Sequence, residues 1–167
     1  MDTIFPPEPI NWGHFGSSVL LGDDYFYVGE AWADHIELDE GKVHRYSYDG
    51  KYLDSMVPPE SRYAATFGAR LEGNSQWFVV SELNGVHGML NNGEVHLYDW
   101  GGELVHTLTP LNSTALNDFG ASLAMSTDYI VIGESIAQIE DYKRAGRVYV
   151  YNMEGDLLRV LEPPDPF

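Results

Sequence analysis

Apolar and polar residues alternate along this chain in short bursts, each stopped by a glycine, a proline or an Asp/Asn turn. No stretch sustains a 3.6-residue period over three helical turns. The bursts predict strands at 17–21, 25–30, 42–48 and 51–57, then at 69–72, 77–82, 94–99 and 103–108, then at 121–125, 129–134, 147–152 and 156–161. Val, Ile, Tyr and Phe are frequent in them, as a half-buried pleated surface demands. Asp49-Gly50, between the third and fourth strands, predicts a two-residue hairpin turn with positive φ at both turn residues.

The pattern is one unit written three times. Phe15-Gly16, Phe67-Gly68 and Phe119-Gly120 recur at a spacing of 52 and again 52. Gly41-Lys42-Val43-His44-Arg45-Tyr46 returns as Gly93-Glu94-Val95-His96-Leu97-Tyr98, and once more as Gly146-Arg147-Val148-Tyr149-Val150-Tyr151. Laying 15–66 over 67–118 without a gap gives 14 identities in 52 positions, against about three expected from ordinary residue usage. Pro58-Pro59-Glu60 has partners in Pro163-Pro164-Asp165 and Pro6-Pro7-Glu8, so residues 2–9 match 54–61. The chain therefore divides into the tail of a preceding strand at 1–9, a first unit at 10–61, a second at 62–113 and a third at 114–167. Four strands in a unit of this length predict an all-β protein of three tandem four-stranded antiparallel propeller blades, because one such sheet cannot cover both its faces.

Phe-Gly, a short strand, a turn, an apolar strand running into Val-Gly, a loop and then Gly-x-Val-x-x-Tyr together resemble the FG-GAP repeat, the blade of integrin-alpha-like propellers. The resemblance spans Phe15 to Leu161 and is to the variant without calcium loops. It implies a surface-displayed interaction module, extracellular or on a virion. Two positions depart from the family. Its usual Gly-Ala-Pro is replaced by Gly29-Glu30-Ala31, Ser81-Glu82-Leu83 and Gly133-Glu134-Ser135. The aspartate run of its calcium-binding members is replaced by Gly22-Asp23-Asp24, Gly73-Asn74-Ser75-Gln76 and Ser126-Thr127-Asp128.

Charge narrows the partners. Nine Lys plus Arg stand against 26 Asp plus Glu, a net charge of −17, which repels phosphate backbones and anionic lipid. Nucleic acid and membrane insertion are excluded as expected partners, and no run approaches the length of a membrane span. The absence of cysteine removes disulfides, thiolate zinc sites and a cysteine nucleophile. Residues 1–9 have neither the basic nor the apolar region of a secretory signal.

Candidate chemistry is sparse. A calcium loop needs several converging oxygens, and each turn offers one or two carboxylates. Asp34, Glu37, Asp39 and Glu40, with Glu140 and Asp141, read as solvated acidic loops, and the second unit has Asn84, Asn91 and Asn92 instead. No metal and no cofactor are expected. Glu30, Glu82 and Glu134 occupy one repeat position, which predicts either a latch onto the backbone of each blade's own loop or a ring of carboxylates around the axis. His44 and His96 share a position that the third unit fills with Tyr149, which predicts packing rather than catalysis. No hydrolase, metalloprotease or phosphate-loop motif is present, and the Asn112-Ser113-Thr114 sequon carries no weight. Trp12, Trp32 and Trp100 break the repeat. Trp32 lies in a long loop and Trp100 at a hairpin turn, where core packing is not expected and where exposed rings suit protein contacts or sugar stacking.

These readings give a non-enzymatic structural or adhesive module whose partners are other proteins, among them copies of itself, with a sugar-binding propeller as the alternative. Propellers have roughly four to eight blades. Three blades therefore predict a six-bladed ring of two head-to-tail copies, or an open stack covered by neighbouring subunits.

Overall fold

The computed structural model describes residues 3–83, 93–111 and 118–164. It contains twelve strands and, among the described residues, no helix. In the first unit these are β1 (Phe15–Leu21), β2 (Tyr25–Glu30), β3 (Lys42–Ser47) and β4 (Tyr52–Met56). The second holds β5 (Phe67–Gly73), β6 (Trp77–Glu82), β7 (Glu94–Asp99) and β8 (Leu104–Leu108), and the third β9 (Ser122–Met125), β10 (Tyr129–Glu134), β11 (Arg147–Asn152) and β12 (Leu157–Leu161). Each group of four forms its own antiparallel sheet in simple up-and-down order. These are three propeller blades, with β1, β5 and β9 packed side by side as the innermost strands.

The hairpin turn differs from the expectation. Gly50 alone has positive φ (86°), and Gly102 and Gly155 repeat it at 89° and 83°. The Gly50 amide donates to the Ser47 carbonyl, and the β3–β4 register slips between Arg45 and Tyr46. This is a type I turn closed by a left-handed glycine and a bulge, which needs one positive φ rather than two.

Blades stack through alternating faces. In β2 and β3, Val28 pairs with His44 and Phe26 with Tyr46 on one face, while Gly29 pairs with Val43 on the other. The second face of blade 1 meets the first face of blade 2 in a core of Tyr27, Val43, Phe67, Phe78, Val80 and Tyr98. Blades 2 and 3 repeat this with Val79, Val95 and Leu97 against Phe119, Ile130, Ile132, Tyr149 and Tyr151.

The Phe-Gly dipeptide is the peg of each junction. Gly41 bridges Phe67, and a Cβ on Gly29 or Gly41 would overlap the backbone of Gly68 or Phe67. A Cβ on Gly93 would overlap the Phe119 carbonyl in the same way. Phe67 and Phe119 are fully buried. Phe15, at the same repeat position, is only half-buried and packs against His44 and Tyr46 of its own blade.

The Tyr46 hydroxyl donates to the Phe5 carbonyl (3.0 Å) just as Tyr151 donates to the Thr109 carbonyl at the end of blade 2 (2.8 Å). Residues 3–9 thus follow the track of a preceding blade's tail.

Candidate interaction sites

Each blade ends its second strand in a buried glutamate: Glu30, Glu82 and Glu134 are 3%, 1% and 1% exposed. The partner in every case comes from the third strand of the same blade. His44 Nε2 lies 2.8 Å from Glu30, His96 Nε2 lies 3.0 Å from Glu82, and the Tyr149 hydroxyl donates to Glu134 at 2.8 Å. The imidazoles continue outward to hydroxyls on the fourth strand, His44 Nδ1 to Ser55 (2.7 Å) and His96 Nδ1 to Thr107 (3.1 Å). Cross-strand pairing places these residues in line, since His44 lies opposite both Val28 and Ser55. The histidines therefore do more than pack: each joins a carboxylate to a hydroxyl across the sheet. A carboxylate–imidazole–hydroxyl series is also the order of a hydrolase relay, but its recurrence in blade 2, where His96 is sealed under blade 1, marks it as part of the repeat's architecture.

Burial sets the proton affinities. Desolvation lowers His44 below the ordinary imidazole value, outweighing the Glu30 carboxylate beside it. Desolvation also raises Glu134, against the Tyr149 hydrogen bond and the Arg147 charge. Tyr149 itself is pushed up to about 12, chiefly by burial.

Cations complete two of the three sites. In blade 2, Arg62 reaches Glu60 (2.7 Å), Glu94 (3.0 Å) and Glu82 (3.3 Å). Burial works against its charge, but the hydrogen bonds and charges of these carboxylates outweigh that and hold it protonated. In blade 3, Arg147 approaches Glu134 at 3.9 Å and Glu162 at 2.8 Å. Oxygens of Glu82 and Glu94 and a nitrogen of His96 converge within 4.8 Å, an arrangement able to hold a metal ion, yet the Arg62 guanidinium already supplies a positive charge to both carboxylates. Sequence reading passed over Arg62 because it has no repeat; the signal lay in its replacement of Ile10 one unit earlier.

The acidic loop of blade 1 is not simply solvated. Glu40 is 1% exposed and accepts the Ile36 and Glu37 amides (2.9 and 3.2 Å), while Asp34 accepts the Asp39 amide (3.0 Å). Asn84, Asn91, Asn92 and Asn112-Ser113-Thr114 lie outside the described residues.

The tryptophans divide. Trp12 is 82% exposed, and half-buried Trp32 stacks on His14 with ring centres 4.5 Å apart. Because the Trp32 amide donates to the Gly13 carbonyl (3.1 Å), these rings share one region of blade 1. Trp100 corrects the expectation of a free loop-tip ring. It packs against Tyr25, Tyr27 and Phe78 across the blade 1–blade 2 junction, its indole N–H donates to the Asn74 carbonyl, and its own carbonyl accepts the Tyr25 hydroxyl. The β7–β8 hairpin reaches back over blade 1, so an apolar ring there finds a core.

The surface of blade 3 that corresponds to the buried second face of blades 1 and 2 is open. Val148 and Val150 are half-buried, where Val43, Val95 and Leu97 are fully covered. A Cβ on Gly146 would meet nothing nearer than 3.4 Å. Ser122 stands over Gly133 as Ser18 stands over Gly29, and Ser18 Oγ donates to the Gly68 carbonyl of the next blade at 2.6 Å.

The model of the FG-GAP repeat matches residues 103–151, from β8 through the third strand of blade 3. No curated protein sequence matches the chain. A solved structure described as "Crystal structure of the eukaryotic initiation factor" resembles it with a TM-score of 0.53 at 11% identity, over 90% of this chain. The chain spans about a third (33%) of that protein's length. The likeness concerns the fold alone.

Proposed function

We propose that the chain is a non-enzymatic interaction module of a surface-exposed assembly, extracellular or on a virion, that docks further blades of its own kind through the open face of blade 3. The observation that carries this reading is the repeated peg and socket. Gly29 and Gly41 receive Phe67-Gly68, Gly93 receives Phe119-Gly120, and Gly133, Gly146 and Ser122 present the same receiving surface to solvent. At the other end, a Cβ on Gly16 would meet nothing within 4 Å, so Phe15-Gly16 of a second copy is a matching peg. Head-to-tail docking lays the segment after β12 along the track that residues 3–9 follow in the partner, and those residues give way. The FG-GAP match supports display at a surface. The strong acidity favours solubility there. Val148→Glu places a carboxylate on the docking face without touching a core residue. Sedimentation should show association lost in this variant while its circular dichroism stays that of the parent; association that survives unchanged rules the reading out.

A second reading, sugar binding, draws its support from the 82% exposed indole of Trp12 beside the stacked Trp32. Glycan-array binding abolished by Trp12→Ala would favour it over the docking module.

A further inference from the structure

A cavity of about 400 Å³ opens on the first face of blade 1, lined among others by Glu8, Ile10, Glu30, Asp34, Lys42 and His44. The repeat supplies its template. Fifty-two residues on, Glu8 becomes Glu60, Ile10 becomes Arg62, Glu30 becomes Glu82, Lys42 becomes Glu94 and His44 becomes His96. In blade 2 that place is filled by the Arg62 guanidinium, bound to Glu60 at 2.7 Å and Glu82 at 3.3 Å. Blade 1 keeps both of the corresponding carboxylates and has isoleucine where the arginine stood. Glu30 is 3% exposed. One of its oxygens takes His44, and the other has no hydrogen-bond partner among the described residues.

We propose that this cavity binds the guanidinium of an arginine side chain presented by a partner protein. Glu8 and Glu30, which line the cavity at the repeat positions of Glu60 and Glu82, offer the planar, charge-assisted acceptors that suit a guanidinium better than an ammonium. Glu8, Glu30 and Asp34 outnumber Lys42 among the lining residues, so the carboxylates set the sign of the cavity. Lys42 stands where Glu94 gives Arg62 its third contact, so the incoming arginine binds more weakly than Arg62 does in its own site. The volume lies within the range of small-ligand pockets. The cavity, walled in part by Glu8, belongs to the undocked chain in which residues 3–9 lie in place, so arginine and a second copy compete for this end of the molecule; the proposal rests on the interaction-module reading only for the source of the arginine.

The test uses the full chain carrying Val148→Glu, so that self-association does not enter, and N-acetyl-arginine-amide as the probe, followed by the NMR shifts of His44. Saturable binding is expected, roughly tenfold or more weakened for the neutral citrulline analogue and clearly weaker for N-acetyl-lysine-amide. Ile10→Arg should fill the cavity as Arg62 fills its counterpart and abolish binding, and Lys42→Glu should tighten it by about tenfold. Free arginine, whose α-ammonium and α-carboxylate offset each other, should bind no more tightly than the capped residue; tighter binding of the free amino acid would overturn the assignment to a protein side chain. Equal binding of citrulline or lysine, or binding unchanged by Ile10→Arg, would overturn the guanidinium site itself.

Discussion

Phe67→Ala removes the peg that joins blade 1 to blade 2. The ring is fully buried within the junction core of Tyr27, Val43, Phe78, Val80 and Tyr98, and lies edge-on to Tyr98 with centroids 6.5 Å apart. Its backbone is held against Gly41, so the site has little freedom to collapse. Truncation should therefore cost the full transfer and cavity terms, about 3–5 kcal/mol. For a chain of this size that lowers the thermal midpoint by roughly 10 °C. Phe119 is equally buried and should cost the same, although it belongs to a terminal blade. Phe15 is half-buried and packs against His44 and Tyr46 of its own blade, so in the undocked chain, held so by Val148→Glu, Phe15→Ala should cost about half as much. Urea unfolding followed by tryptophan fluorescence measures all three against the parent. Equal and small losses would mean that the phenylalanines do not lock the blades, and the stacking geometry would fall with them.

Gly29→Ala drives a methyl into the Gly68 backbone and should cost about 1–3 kcal/mol by overpacking. Gly133→Ala at the same repeat position, tested in the Val148→Glu background where no second copy docks, meets only Ser122, whose side chain can rotate, and should cost well under ~1 kcal/mol; equal costs in denaturant unfolding would show that the junction is not tight. His44 binds its proton less readily folded than unfolded. Its contribution to stability is therefore present above the unfolded value, about 6.5, and is lost as pH falls below it. His44→Tyr, which copies the Tyr149–Glu134 pair of blade 3, should flatten the loss of thermal midpoint between pH 6.5 and roughly 5; an unchanged slope contradicts the assignment. Calcium should be dispensable, because Arg62 already supplies the positive charge at the densest ligand cluster. Thermal midpoints with chelator and with added calcium should then agree, whereas a rise of several degrees with calcium would reveal a bound ion.

The strands were legible because their determinants are local. Alternation and turn residues place all twelve within two residues of their observed limits at both ends. What the sequence concealed depends on contacts between blades. Trp100 meets Tyr25 and Tyr27 from 75 and 73 positions away, so its position in a turn suggests exposure that its neighbours remove. The partner of Glu30 was hidden for a related reason: His44 looked like a packing residue because Tyr149 replaces it, yet both side chains offer a hydrogen to a carboxylate. Repeats direct attention to positions that stay the same. Arg62 and Ile10 matter because they differ, and only the carboxylates around them show why.

Light scattering on the unmodified chain through a dilution series at micromolar concentration tests most directly whether the open face of blade 3 is a docking face. Two copies joined head to tail give a mass near twice 18.7 kDa, falling toward 18.7 kDa only on dilution or with Val148→Glu. A chain that stays at 18.7 kDa throughout, with cooperative unfolding and no response to Val148→Glu, would contradict it.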